Sequence, residues 1–336
     1  LSSDSERNTV GGSNAGDSFD GSSAADNSLY GYDCGTAITT ADKNSLYGSK
    51  IDALTTGSYN TCVGMEAGAG LTTSSYGVYV GYEAGKTYST ENQFGASALC
   101  VGGQAGKNST GVKNTFIGTK CAQSSGSGQQ NCYMGNETAG TRTGSFNVGI
   151  GGAAFPTGGD GSNCVGLGFY VFSGLTSGSD NTAIGDNAGG LTTGSNCTLL
   201  GHDAAASSNT VSNEITLGDS NISSLRCQVT SITSLSDRRD KTDINTLDLG
   251  LDFIDSLKPV KFKWETRDGK GPKGYEAGFI AQDFQQVQKE YDADYLNLVL
   301  ESNPEKLEAA PSKLIPIMIK AIQELKMEIE TLKNNG

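Results

Sequence analysis

Along residues 8–222, apolar side chains come in runs of two or three. Each run is closed by a glycine and followed by small and polar residues. The unit is clearest at Asn181-Thr182-Ala183-Ile184-Gly185-Asp186-Asn187-Ala188-Gly189, continuing Gly190-Leu191-Thr192-Thr193-Gly194-Ser195. It recurs as NTCVGMEAG from Asn60 and NTFIGTKCA from Asn114. Looser copies start at Asn27, Asn44, Asn131 and Asn147, and residues 8–16 fit as well. Thirteen anchor glycines mark the period: Gly12, Gly31, Gly48, Gly64, Gly81, Gly102, Gly118, Gly135, Gly151, Gly166, Gly185, Gly201 and Gly218. Their mean step is near 17 residues, with steps of 16 and 17 the commonest. Runs this short cannot be helices and predict one brief strand per unit, with Gly and Asn supplying positive-φ corners. One coil buries only two or three side chains, so coils must stack and share a continuous thin core. The expected fold is mainly β, a β-solenoid or β-roll over 1–213, whose unburied apolar remainder is best hidden by association of several chains.

Residues 214–235 alternate apolar and polar (Ile215, Leu217, Ile222, Leu225, Cys227, Val229, Ile232), which predicts a β neck continuing the roll. Ser236-Asp237-Arg238-Arg239-Asp240-Lys241 interrupts it. Residues 236–336 then read as mixed α and β. A helix is expected over Leu247–Leu257, stopped by Pro259, then a strand over Val260–Trp264 and a Gly/Lys turn at Gly269–Gly274. A second strand from Ala277 runs into a helix over Asp283–Tyr291. In the tail, Ile315, Ile322 and Ile329 are seven apart, as are Met318, Leu325 and Leu332. This a/d seam predicts a coiled coil over 314–334. Docking of an amphipathic helix on its own domain is the alternative use of that pattern, and Ile at a with Leu at d leaves the number of strands open.

Composition sharpens the boundary near residue 236. Residues 1–235 hold 41 of the 47 glycines and 27 charged residues, whereas 236–336 hold five of the six prolines, the only Trp and 34 charged residues. Both parts are acidic, at −9 and −4, and no Lys/Arg block appears, so nucleic acid is not an expected partner. No apolar run approaches the ~20 residues of a membrane helix, and no signal peptide is visible. A start at Leu1 suggests a fragment or processed product.

The eight cysteines have no CxxC spacing, and a single His202 argues against a His-containing zinc site; no metal or cofactor is expected. Seven cysteines sit within or beside repeat units where Thr, Ala, Val or Leu also occur, so they read as small buried apolar residues, with disulfides as the alternative. GYEAGKT at Gly81–Thr87 and GIGGAA at Gly149–Ala154 resemble phosphate and dinucleotide loops but fall out of the repeat. The four sequons at Asn108, Asn136, Asn196 and Asn221 are expected by chance in so Asn/Thr-rich an array.

The NTxxGxxAG unit resembles the head repeat of trimeric autotransporter adhesins and the repeat arrays of phage and large-virus tail fibres. Further along, SDRRDKTDI at Ser236–Ile244, LKPVKFKW at Leu257–Trp264, GFIAQDFQQV at Gly278–Val287 and LIPIMIKAIQEL at Leu314–Leu325 stand in order. Together they resemble the endosialidase-type intramolecular chaperone family, found in phage tailspikes, viral fibres and myelin regulatory factor. The resemblance implies a trimeric β-roll followed by an α+β chaperone domain that trimerises, folds the fibre ahead of it and then cuts itself off. It places the cut at Leu235–Ser236, with Ser236 as nucleophile and Lys241 as base, in a single turnover with no outside substrate.

A lysine serves as base when burial or neighbouring cations lower its pKa. Arg238 and Arg239 would favour this, and Asp237 and Asp240 would oppose it. The domain has no histidine, so a Ser-His-Asp triad is excluded within one copy. The expected function is a homotrimeric viral or phage tail fibre, located in the virion and attaching to a host receptor or glycan. A bacterial surface adhesin is the alternative. A polysaccharide-degrading tailspike is a second alternative, but it needs a paired carboxylate site, and Glu66, Glu83, Asp186 and Asp203 are scattered in sequence. Tyr32 and Tyr82, after anchor glycines, can stack on sugars or pack at an interface between chains.

Overall fold

The computed structural model describes residues 2–19, 23–87, 97–228, 232–266 and 273–335. Val229 of the neck and residues 269–272 of the expected turn lie outside them. The chain divides into two compact units, Leu1–Asp219 and Ser220–Gly336.

In the first unit, β1 (Ser2–Ser3) pairs antiparallel with β2 (Thr9–Gly11). From β2 onward each coil adds one three-residue strand, parallel and in register with the last, ending at β14 (Ile215–Leu217). Middle residues such as Leu29, Cys62, Phe116, Tyr133 and Leu199 point inward and are fully buried. They form one continuous core of Ala, Leu, Cys and aromatic side chains. This is the β-solenoid expected from the period.

The asparagine that opens each repeat closes its coil. Asn44 Oδ1 accepts the backbone N–H of Asn60 at 2.9 Å, while its Nδ2 donates to the Gly57 carbonyl at 3.0 Å. Asn147 repeats this, accepting from the N–H of Cys164 and donating to Gly161. These bonds satisfy backbone groups that a thin core would otherwise leave unpaired. Where Gly77, Cys164 or Cys197 replaces the asparagine, its N–H still donates to the asparagine one coil earlier. The corners need left-handed backbone, and Tyr59 (φ 62°) and Asn187 (φ 53°) supply it without glycine.

One expected anchor is corrected. Gly166 is the middle residue of the strand Val165–Leu167 and faces Phe155 and Val171; the anchor is Gly168, at φ 144°. Val-Gly-Leu-Gly carries two glycines for two different reasons, core space at Gly166 and coil-to-coil clearance at Gly168. With Gly168 in place, the anchors on either side stand 17 residues away.

Six of the eight cysteines are buried, and the seven of the repeat form no disulfide. Burial pushes the Cys34 thiol up to about 11 and that of Cys121 up to about 12, so they behave as small core residues. Stacking also gathers charge. Glu83, only 4% exposed, accepts from Lys107 at 2.6 Å, Lys86 at 2.8 Å and Gln104 at 2.8 Å, and Lys86 reaches Glu66 at 2.5 Å.

The neck is β only at its start. Ile215–Leu217 is the last rung of the roll, and no strand forms over 218–228 or 232–237. Ile222, Leu225, Ile232 and Leu235 are exposed.

The second unit holds α1 (Leu251–Ser256), an antiparallel pair β15 (Val260–Phe262) and β16 (Glu276–Gly278), and α2 (Ala281–Glu290). A second short pair follows, β17 (Val299–Leu300) and β18 (Glu308–Ala309), then α3 (Ile315–Asn335). Phe253, Phe284, Val287, Leu298, Leu314 and Ile317 centre its core. The first helix starts four residues later than its apolar spacing suggests. Gly250 is its non-helical N-cap, and the N–H of Leu251 donates to Glu324 of α3 at 2.7 Å. The first strand stops at Phe262, two residues short of Trp264. Likewise α2 starts at Ala281 rather than Asp283.

Two outcomes test this account. A Cβ on Gly168 would overlap the Gly185 carbonyl of the next coil at a φ side chains avoid, whereas one on Gly103 meets open space. Gly168→Ala should cost at least ~1–3 kcal/mol in thermal or denaturant unfolding, and Gly103→Ala should be near neutral. The two lysine ammonium groups hold the Glu83 carboxyl at about 2, below its ordinary 4.5. Its stabilising effect is therefore full above pH 4.5 and fades as pH falls toward 2. Melting temperatures of wild type and Glu83→Gln should differ most at neutral pH and converge near pH 2.

Candidate functional site

Ser236 begins a short polar turn. The Asp237 carboxylate caps it, accepting the Arg239 N–H at 2.9 Å at the head of a one-turn 3-10 helix, Arg238–Asp240. That turn brings the chain back on itself, and Lys241 Nζ donates to Ser236 Oγ at 2.6 Å. The residues expected to serve as nucleophile and base are thus in hydrogen-bond contact across five positions of sequence.

The charges around them sort themselves out. Arg239 and Asp237 form an ion pair at 2.6 Å, and the guanidinium holds the Asp237 carboxyl below the usual carboxylate range. These opposed charges largely cancel locally. Ser236, Arg238, Asp240 and Lys241 are exposed, as is Leu235 on the other side of the candidate bond. Here Lys241 Nζ donates to the hydroxyl; in general a lysine serves as base only as the neutral amine, which burial favours.

α3 has two apolar faces. On one, Ile317 and Ala321 are buried, Ile317 in the unit's core beside Leu314 just ahead of the helix, and Glu324 on that side caps α1. The seam residues lie elsewhere on the helix and are exposed: Ile315 58%, Met318 49%, Ile322 64%, Leu325 42%, Ile329 50% and Leu332 72%. The two uses the sequence left as alternatives are therefore separated around the helix. One face docks within the unit, and the heptad stripe stays free in the single chain.

Elsewhere the structure clusters acids that the sequence scatters. Glu66 and Glu83 share Lys86, and Asp186 and Asp203 flank His202 at 3.6 and 3.3 Å. Each cluster contains a cation or an imidazole, and the depressed Glu83 is a poor proton donor for glycan cleavage. His202, Asp203 and Asp219 bring ligand-type atoms within 4.8 Å of one another, joining residues of successive coils. Tyr32 and Tyr82 are exposed. Lys86 of the phosphate-loop lookalike is held by Glu66 and Glu83, and Gly149 of the dinucleotide-loop lookalike lies in the strand Val148–Ile150. Among the described residues, no helix is long and apolar enough to cross a membrane.

Residues 236–292 match the family described as the chaperone of endosialidase. With the parallel β-solenoid ahead of them, they fit a tail-fibre-like repeat followed by a chaperone domain. No curated protein and no solved structure matches the chain.

Proposed function

We propose that this chain is a segment of a homotrimeric viral or phage tail fibre, carried on the virion for attachment to a host receptor or glycan. Its C-terminal chaperone removes itself by cutting Leu235–Ser236. The family match and the solenoid together support a trimeric fibre with a chaperone domain. The contact between Lys241 Nζ and Ser236 Oγ carries the cleavage reading.

The step balances with the chain's own groups and water. Neutral Lys241 takes the Ser236 hydroxyl proton, and Oγ attacks the Leu235 carbonyl carbon. The C–N bond breaks, the Ser236 amine receives the proton from Lys241, and an ester joins Leu235 to Oγ. Water then hydrolyses the ester, leaving a Leu235 carboxylate and restoring the Ser236 hydroxyl. Assembly through the α3 stripe is the event that can bury the site and favour the neutral amine.

Ser236→Ala should run as one full-length band on denaturing gels, and Lys241→Met should slow cleavage by on the order of 100-fold or more. A Ser236→Ala chain that still splits after Leu235 overturns the assignment. Ile322→Lys with Ile329→Lys, present from synthesis onward, should lower the yield of the three-chain species on sedimentation. Both positions are exposed, so the helical circular dichroism of the second unit should hold.

A further inference from the structure

The outward side of the roll's sheet carries no charge. The middle residue of each strand points inward, so the first and third point out. From Tyr30 to Leu217 the third-residue column holds only Tyr, Val, Ile, Leu and Met. The first-residue column, from Thr9 to Ile215, holds only Thr, Ser, Val, Leu, Cys and Ile. Yet residues 1–235 contain 27 charged residues, and none of them belongs to these two columns. Tyr47, Ile150, Ile184 and Leu217 on this face are between 41 and 52% exposed. Parallel sheets are ordinarily covered on both faces, and here the coil's own core covers only the inner one.

We propose that this face is the surface along which the roll meets other copies of the same chain. The inference rests on the trimeric reading and adds the surface that reading left unnamed. Three observations select a copy as occupant. The columns repeat once per coil, ~4.8 Å apart, for about 58 Å. A partner must keep that rise to stay in register, and a copy has it by construction. The face offers two outward residues on each of thirteen strands, within the ~20–30 residues a side of a stable interface. The two parts of the chain are both acidic, −9 for residues 1–235, so copies repel elsewhere and approach at least cost where no charge lies. Release of the chaperone removes the α3 seam, and this face then holds the rolls together by itself.

The test uses the full chain with Cys132→Ser and Cys227→Ser, which removes the two thiols that are not buried. One reporter is added: Ile184→Cys on the face, or Thr193→Cys, exposed on the strand-free part of the same coil. Ile150→Cys repeats the face reporter two coils away. Each chain is sedimented and then treated with a short bismaleimide. The expected result is a three-chain mass throughout, with covalent chain-to-chain products at least tenfold more abundant for Ile184→Cys and Ile150→Cys than for Thr193→Cys. A three-chain mass in which the face reporters link no better than Thr193→Cys overturns the face assignment and leaves the trimer standing. A one-chain mass for the parent overturns both.

Discussion

Coil-on-coil backbone pairing is the constraint from which the rest of the roll follows. Each strand hydrogen-bonds to the next in register, and the turn after it brings the Gly168 Cα and the Gly185 carbonyl too close for any side chain between them. That approach demands glycine at one position per coil and so imposes the period on the sequence. It also aligns equivalent residues into columns, which is why asparagine amides, thiols, tyrosine rings and charges all pair with residues about one repeat away. Tyr59 and Tyr76 stack at 4.9 Å in this way, and Phe116 and Tyr133 at 5.8 Å.

The same geometry limits what the roll can do alone. Its interior is one or two side chains wide, and its stability is a sum of nearest-neighbour terms with no broad core to add to them. Volume must balance within each coil. Gly149 and Gly166 sit where Tyr133, Phe155 and Phe172 crowd inward, and Arg142, fully buried, lays its guanidinium over Phe155 at 4.6 Å and donates to backbone carbonyls. Long parallel β-structure also depends on contacts that form slowly and leave edges open meanwhile.

The second unit has complementary properties. It is built of helices and two short antiparallel pairs, and α3 presents one face to its own core and another, apolar face to solvent. In the proposed function, such a unit sets the alignment of chains before the roll propagates. Its removal then makes the assembled state hard to reverse, so persistence becomes a matter of rate. The Ser236–Lys241 pair is built by local means, a capped turn and one hydrogen bond, and so needs no distant contact to form.

Much of this was legible in the residues. The repeat, its strand and corner positions, the composition break near 236 and the heptad seam are local or periodic features, and backbone sterics and side-chain spacing determine them directly. The Ser236 and Lys241 pairing was legible only through motif resemblance, since SDRRDK by itself is an ordinary polar loop. Three things needed the tertiary structure. The choice of Gly168 over Gly166 depended on which glycine faced Phe155. The late start of α1 depended on Glu324, seventy-three positions away, capping Leu251. The gathering of Glu66, Glu83, Lys86 and Lys107 depended on coils of unequal length falling into one stack. In each case the deciding contact joins residues of different coils or elements, and a one-dimensional pattern holds no distance between them until the chain folds.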